Sequence, residues 1–454
     1  MSNFNYTHDI LKSLDLFDEN NKPLFLPSPY PDTDSCIRDE KNKNGKMIRY
    51  FRLVAVKKDL HPCPHCGTAD HHESKGLRTI FLKHNNNGHR HTELEVVFRR
   101  YHCKHCNHYF HDEIPFKAKG MRITTVAAQA CLAQMRESHS LASIARTNGI
   151  TKSSVYRLFH DHIHIPFRYY RLPEVMSIDE FRATTDLGTF AFHITDPVNG
   201  KTIDIIQDRQ ADYLRKYFSH ISFQNRKKVK IIIMDMSGPF RALMKALFPN
   251  AVIICDRFHY IKLFREHMNR SRIDTCNTLS NDKLARSIKR ELHLFDKYSG
   301  DLDERKVWFD RHLKRHFTCR TYIEYIFEQP ETEEFYENYK IYQSLLKLIH
   351  EPQSDYKKEL NKILDHIFDT KNEYYTGSAK NIRKNWFMPI LNSLTMQARY
   401  RRKGKEYFTS FNNGFVECMN NQVKLVKRNA FGYRYFYNFR KRALLYLKFS
   451  YEFV

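Results

Sequence analysis

The chain has 454 residues, 41% of them apolar, and its 75 Lys and Arg residues against 51 Asp and Glu residues give a formal charge of +24. This length allows two to four domains with their own cores, and the absence of any run of about 18 apolar residues argues against a membrane span. A positive charge this large favours binding to a polyanion, and nucleic acid is the first candidate. The alternative is that the charge serves solubility alone.

The N-terminal part predicts a zinc site. Residues 1–45 carry little pattern and no secretory signal. A strand predicted over Ile48–Lys57 leads to a first CxxC pair, and a second pair follows a strand-like run, Glu93–Phe98. Two CxxC turns joined by a hairpin close a tetrahedral four-thiolate site. We predict a zinc-ribbon domain over 46–116 with a structural Zn²⁺ bound by Cys63, Cys66, Cys103 and Cys106.

Two alternatives to this zinc site stay open. The pairs could be redox or unpaired thiols, or a neighbouring histidine could replace one thiolate as a ligand. The other cysteines among the 10 are scattered. That distribution argues against a disulfide framework and for a reducing compartment.

The next segment, 117–165, has the pattern of a helix-turn-helix domain. Thr124 or Thr125 can cap a first helix, a short second helix follows, Gly149 marks the turn, and Ser153 or Ser154 can cap the third helix. The last helix of such a unit enters the major groove. The residues predicted to face DNA are Lys152, Ser153, Ser154 and Arg157. Three-helix units also serve as protein–protein modules, which is the alternative. A linker over 166–173 follows.

The central region predicts a mixed sheet. Three strands come first, then a helix from Ala211, and then two short apolar strands separated by another helix. This is the element order of the ribonuclease-H-like fold. The predicted strands are Val175–Phe181, Thr189–Thr195, Thr202–Gln207, Ile231–Met234 and Val252–Cys255. We assign 174–260 and 406–454 to a ribonuclease-H-like domain, which we expect to be catalytic. We assign the Lys-, Glu- and Leu-rich stretch 261–405 to an all-helical insertion domain.

Acids end three of these strands. In the predicted order, Asp179 and Asp235 lie side by side at one edge of the sheet, and clustered carboxylates of this kind suit Mg²⁺ or Mn²⁺. Glu417 lies on an amphipathic helical pattern and is the candidate third acid. From the residues alone, Asp256 competes with Asp235 as the second acid.

The chain resembles the DDE transposases of bacterial insertion sequences, specifically the ISL3 family. The motifs that carry the resemblance are the two cysteine knuckles, IDEF from Ile178, DMSGPF from Asp235, DRFH from Asp256, and NGFVECMNNQVKLVKRN from Asn413. The resemblance implies Asp179, Asp235 and Glu417 as the metal-binding triad. It also implies that Asp256 and His259 form an accessory element near the site.

The resemblance implies a transposase that binds the terminal inverted repeats of its own element, cuts there, and joins the freed end to target DNA. Double-stranded DNA is then the partner, with Mg²⁺ or Mn²⁺ as cofactor, a homo-oligomer as the working form, and the bacterial cytoplasm as its location. The residues expected to steer the phosphate backbone are Lys424, Lys427 and Arg428, with Arg434, Arg440 and Arg442 as weaker candidates. The alternatives are a transposase-derived DNA-binding regulator without activity and a structure-specific nuclease.

Overall fold

The computed structural model describes residues 9–16, 25–56, 62–69, 72–165, 171–183, 187–402, 405–430, 433–447 and 452–453, with the backbone alone for 400–402, 405–407 and 452–453. The chain is a mixed α/β protein that divides into two compact units. One unit comprises Met1–Pro166 with Gln422–Val454, and the other comprises Phe167–Asn421. The first part of the predicted linker, 166–170, lies outside the described residues.

A six-stranded sheet opens the first unit, with the order β1-β3-β5-β4, and β2 and β6 at the sides of β3 and β5. Its core contains Leu53, Leu82, Leu94 and Val96, which are fully buried. The long hairpin β4–β5 joins the two cysteine pairs, as the sequence predicts. The strands are β1 (Phe25–Pro27), β2 (Ile37–Lys41), β3 (Met47–Ala55), β4 (His72–Asn87), β5 (Arg90–Cys103) and β6 (Tyr109–His111).

Three helices and a short strand follow: α1 (Thr125–Met135), α2 (Leu141–Thr147), α3 (Lys152–Asp161) and β7 (Ile163–His164). Thr124 caps α1, as predicted, by accepting the backbone N–H of Ala127. The predicted cap of α3 is wrong. Thr151, rather than Ser153 or Ser154, is the cap, because its hydroxyl accepts the backbone N–H of Ser154 at 3.1 Å. The helix therefore begins earlier than the sequence analysis expects.

The second unit contains a five-stranded sheet with the order β10-β9-β8-β11-β12. The pairs β10–β9 and β9–β8 are antiparallel, whereas β8–β11 and β11–β12 are parallel. The predicted adjacency of the first and fourth strands is confirmed. The elements are β8 (Val175–Arg182), β9 (Phe190–Asp196), β10 (Lys201–Ile206), α4 (Ala211–Ser219), α5 (Phe223–Arg226), β11 (Ile231–Met234), α6 (Gly238–Leu247) and β12 (Val252–Cys255).

A mostly helical stretch continues the second unit. Its helices are α7 (Arg257–Thr278), α8 (Asp282–Arg290), α9 (Leu292–Phe295), α10 (Cys319–Phe327), α11 (Glu333–His350), α12 (Tyr356–Asp369), α13 (Thr376–Asn381) and α14 (Phe387–Thr395). One apolar cluster includes both sheet residues such as Met176 and helical residues such as Leu345 of α11. Sheet and helices therefore share a core.

The expectation of an all-helical insertion is wrong in one respect. Two hairpins interrupt the helices: β13 (Trp308–Asp310) with β14 (Arg315–Phe317), and β15 (Gln397–Arg402) with β16 (Lys405–Ser410). In the first, Trp308 pairs with Phe317 across the strands, and Phe317 packs in the common core. Aromatic residues on paired strands stabilise such short ladders.

The C-terminal elements are α15 (Gly414–Asn429), α16 (Phe436–Tyr446) and β17 (Glu452–Phe453). The division between the units falls within α15, so that 422–454 does not group with the five-stranded sheet as predicted. The physical reason is that β17 pairs with β7, and that Arg442 donates to the carbonyls of Glu137 and His139.

The buried cations of α16 correct a further expectation. Arg440 and Arg442 are 5% and 2% exposed, so neither faces solvent where DNA would bind. Lys441 beside them is also buried, and its ammonium donates to the carbonyls of Phe159 and His160 at the end of α3. These side chains anchor α16 on the three-helix unit. Over the described part of the chain, no helix combines the length and apolarity needed to cross a bilayer.

Candidate catalytic and zinc sites

Three acids lie at the same level on neighbouring strands of the second unit's sheet. Ser177 pairs with Ile233, so Asp179 and Asp235, each two residues further along, come level with one another. Asp256 follows β12, whose last residue pairs with the residue before Asp235. Asp179 lies within β8, not at its end as predicted, while Asp235 and Asp256 directly follow their strands. The parallel pairing thus brings together carboxylates that are far apart in the sequence.

Among the described residues of this unit, Asp235, Asp256 and His259 form a group that could hold a metal ion. Their ligand atoms lie within 4.8 Å of one another. His259, in the first turn of α7, places Nε2 2.9 Å from Asp235 Oδ2, and this hydrogen bond raises the pKa of His259. Burial raises the pKa of Asp256. The two residues expected to be accessory are therefore in direct reach of Asp235.

Asp179 is an acid of this sheet edge whose pKa is clearly perturbed. Burial, and then the charge of Asp235, raise its pKa to about 6, and the charge of Glu417 contributes in the same direction. Glu417 lies in the first turn of α15 and is exposed. The structure thus brings Glu417 close enough to Asp179 for their charges to interact. A divalent cation stabilises a carboxylate that lies close to other carboxylates, because it offsets the repulsion between their charges.

Two buried asparagines, which the sequence analysis missed, contact these acids. Asn413, just before α15, donates its side-chain amide to Asp235 Oδ1 at 2.8 Å and its backbone N–H to Asp256 Oδ1 at 3.1 Å. Asn420, two turns further, donates to Asp179 Oδ2 at 2.7 Å. Both asparagines are buried, as is Val416 between them, although only Asn420 lies within α15. Polar residues on a buried face are uncommon unless they are hydrogen-bonded, and that pattern was the available signal.

The four predicted cysteine ligands come together in the first unit. Cys63 Sγ lies 3.6 Å from Cys106 Sγ, and Cys66 Sγ lies 3.7 Å from Cys103 Sγ. A disulfide would need about 2.05 Å. Zn–S bonds of about 2.3 Å in a tetrahedron separate the sulfurs by about 3.8 Å, so this donor set fits a closed structural Zn²⁺ site.

The two knuckles have matching backbone geometry. The residue after each second cysteine, Gly67 or Asn107, has a positive φ, of 74° and 59° respectively. Glycine adopts this conformation without strain, and asparagine is one of the few other residues that tolerate it. The cysteine pairs therefore sit on equivalent tight turns, as a four-thiolate site requires.

The residues predicted to face DNA differ in their exposure to solvent. Lys152, Ser153 and Arg157 are exposed on α3, whereas Ser154 is half-buried and its hydroxyl lies 2.8 Å from the capping hydroxyl of Thr151. The Arg157 guanidinium donates to the Gly120 carbonyl at 3.1 Å. Tyr156, which the sequence analysis does not name, has a side chain that is 52% exposed on the same helix. Lys424 and Lys427 are half-buried, and Arg428 is exposed.

This chain is similar to a known transposase over most of its length. It is 24% identical over 346 residues to the transposase for insertion sequence element IS1001 of Bordetella parapertussis, a match that covers 75% of this chain and 78% of that protein. A stretch of 36 residues is 53% identical to an ATP-dependent protease of Lactococcus lactis subsp. lactis, but it covers only 8% of this chain and 12% of that protein. The family model DDE_Tnp_ISL3, described as a transposase, matches residues 176–443, which is more than half of the chain. The chain therefore belongs to the ISL3 family of DDE transposases.

Proposed function

We propose that this transposase binds the terminal inverted repeats of its own insertion sequence and catalyses metal-dependent strand cleavage and strand transfer there. The observation that carries the proposal is the register of the sheet, which sets Asp179 level with Asp235, together with the effect of the Glu417 charge on Asp179. These acids come from distant parts of the chain and lie close together, and one of them has a raised pKa. Such an arrangement favours a metal site over a solvated surface.

Asp179, Asp235 and Glu417 are the proposed ligands of two Mg²⁺ or Mn²⁺ ions. Bound there, such ions would lower the pKa of the attacking water and stabilise the charge on the leaving oxygen of an in-line phosphoryl displacement. His259 holds one oxygen of Asp235 and Asn413 holds the other, so both orient this ligand. Asp256, buried and bonded to the backbone of Asn413, would act as an accessory acid.

The reaction then proceeds in two displacements without a covalent protein–DNA intermediate. A water oxygen attacks the phosphorus at the transposon end, and the 3′-oxygen leaves with a proton as a free hydroxyl. That hydroxyl next attacks a phosphorus of target DNA and displaces the 3′-oxygen of the target strand. Each step exchanges one P–O bond for another, so no oxidant or energy source is needed.

The proposed fold of the catalytic sheet is ribonuclease-H-like. Three antiparallel strands followed by two parallel strands, in the order β10-β9-β8-β11-β12, support it. We assign 174–260 with the start of α15 to this domain, and 261–405 to an insertion that shares its core. The zinc ribbon over 46–116 and the helix-turn-helix over 117–165 remain the proposed end-binding domains, to which 422–454 is added.

Double-stranded DNA is the proposed partner, both as transposon ends and as target. The exposed Lys152, Ser153 and Arg157 on α3 are proposed to contact the end, and Lys424, Lys427 and Arg428 are proposed to contact phosphates, a use that the charge of +24 supports. A homo-oligomer is proposed because two ends must be joined.

A strand-transfer assay tests the proposal. Purified protein is incubated with Mg²⁺, a labelled duplex carrying the element's terminal repeat, and a target plasmid. The wild type should cut the end and join it to the plasmid, and Asp235→Asn should bind the end without cutting or joining. Asp282→Asn, which removes an exposed acid on α8, is the matched control and should retain both steps.

Each alternative predicts a different product. A structure-specific nuclease cuts without joining, and a non-enzymatic regulator binds without cutting. Cleavage that persists in Asp235→Asn would contradict the proposed metal site itself.

A further inference from the structure

The carboxylate of Asp179 is held by a chain of buried polar side chains that no step above uses. His193 is the cross-strand partner of Asp179 on β9. Its Nδ1 lies 2.7 Å from Asn420 Oδ1, and its Nε2 lies 3.1 Å from the hydroxyl of Thr202 on β10. Asn420 and His193 are 2% and 0% exposed. Buried polar groups on three strands and one helix thus form a continuous chain that ends at Asp179.

The direction of every hydrogen bond in this chain follows from Asp179. An ionised carboxylate only accepts, so the atom of Asn420 that faces Asp179 Oδ2 must be the NH₂ group. The Asn420 oxygen then faces His193, whose Nδ1 must therefore carry a proton. A neutral imidazole has one acceptor nitrogen left, and Nε2 accepts from the hydroxyl of Thr202. The hydrogen bonds therefore run in one direction, from Thr202 through His193 and Asn420 to Asp179, and each donor meets an acceptor.

We propose that Asn420, oriented by His193, is a positioning residue that holds Asp179 in the geometry needed to bind the catalytic divalent ion. The Asn420 amide occupies Oδ2 from one side, and the backbone N–H of Glu180 donates to Oδ1 at 2.7 Å, so the plane of the carboxylate is fixed. Asn420 lies three residues after Glu417, about one helical turn. The same turn of α15 therefore orients one proposed ligand and carries another.

The inference rests on the proposed metal site, so its test first measures metal binding without DNA. Mn²⁺ affinity is measured by electron paramagnetic resonance for the wild type, Asp179→Asn and Asn420→Ala, with the zinc site left intact. Loss of a side chain that orients a metal ligand lowers metal affinity about 10- to 100-fold. We expect Asn420→Ala to show a loss of this size. End cleavage by this variant should need a correspondingly higher Mn²⁺ concentration and should recover when that concentration is supplied.

The matched control is Asn338→Ala. Asn338 is a fully buried asparagine of α11 with side-chain hydrogen bonds to Ser271 and Asn372, so its loss also removes a buried amide and lowers stability. It should leave Mn²⁺ affinity unchanged. Equal losses of affinity in Asn338→Ala and Asn420→Ala would overturn the positioning role, because general destabilisation would then account for both. Wild-type affinity in Asn420→Ala would overturn it as well.

Variants of His193 test the second link and cover the case in which Asn420→Ala does not fold. His193→Ala should weaken Mn²⁺ binding, and His193→Asn, whose amide can donate to Asn420, should restore part of it. Equal losses in both would overturn the role of the histidine N–H. If Asp179→Asn itself binds Mn²⁺ like the wild type, the proposed metal site fails, and that outcome differs from failure of the positioning chain alone.

Discussion

Asp179→Asn should stabilise the protein at pH 7.5 when no divalent ion is added. Burial and the charge of Asp235 raise the pKa of Asp179 from 3.8 to about 6, so the folded protein disfavours the ionised carboxylate. A raised pKa in the folded state means that the contribution of Asp179 to stability is full below pH 3.8 and is lost as the pH rises through about 6. An amide at this position carries no charge and removes that cost.

The expected size follows from the shift. A shift of about 2 pH units at about 1.4 kcal/mol each corresponds to about 3 kcal/mol at pH 7.5 and to about half of that at pH 5. The amide oxygen can still accept from Asn420, but its NH₂ group cannot accept from the backbone N–H of Glu180. One lost hydrogen bond costs about 1 kcal/mol. The net gain in the free energy of unfolding should be about 2 kcal/mol at pH 7.5 and about 0.5 kcal/mol at pH 5.

Urea unfolding of the second unit, followed by tryptophan fluorescence, measures this difference. Wild type and Asp179→Asn are compared at both pH values in metal-free buffer, without a chelator that would strip the zinc site. Added Mg²⁺ should stabilise the wild type at pH 7.5 and have little effect on the variant. Equal destabilisation of Asp179→Asn at both pH values would refute the reasoning, because it would show that the folded protein does not disfavour the ionised carboxylate of Asp179.

Three further predictions concern the first unit. Cys63→Ser should reduce the bound zinc measured by atomic absorption and abolish end binding in a gel-shift assay, because three thiolates leave the tetrahedral site open. Arg442→Ala should lower the free energy of unfolding by about 2–4 kcal/mol, because it removes a buried side chain from two carbonyls, and end binding should then fail at 37 °C but persist on ice. Lys424→Ala should weaken DNA binding similarly for all sequences and reduce the slope of log affinity against log salt by about 1, as measured by fluorescence anisotropy. An unchanged zinc content, an unchanged stability or an unchanged salt slope would contradict the respective assignment.

The parallel strands of the sheet could be predicted residue by residue. Ile231–Met234 and Val252–Cys255 are continuous apolar runs, and the structure has β11 and β12 at those bounds. Strands buried on both faces show such runs because both sides must be apolar. The two CxxC pairs are equally direct, since their spacing alone places two thiols on one turn. These parts of the fold depend on local pattern, which the sequence contains.

The asparagines that hold the acids could not be assigned from the sequence. Asn420 interrupts an otherwise apolar helix face and Asn413 precedes that helix. Neither amide has an evident partner until the opposing strands are known. Their partners lie more than two hundred residues away for Asp179 and over one hundred and fifty for Asp235 and Asp256. Long-range hydrogen bonds of this kind have no periodicity to reveal them.

The basic C-terminal helix shows a second limit. Arg440, Lys441 and Arg442 resemble a solvent-facing or DNA-facing cluster, yet all three are buried. Lys441 donates to the Phe159 carbonyl near the end of α3, and Arg442 donates to the Glu137 carbonyl between α1 and α2. Charge counts cannot distinguish a cation that meets phosphate from one that caps a helix, because both roles place positive charge near oxygen atoms.

The most direct test of the central claim is the location of bound Mn²⁺, measured by anomalous diffraction from crystals of the protein with end DNA. The account predicts manganese ions in contact with carboxylate oxygens of Asp179, Asp235 and Glu417 together. Manganese bound only among Asp235, Asp256 and His259, with Asp179 and Glu417 out of reach, would contradict it.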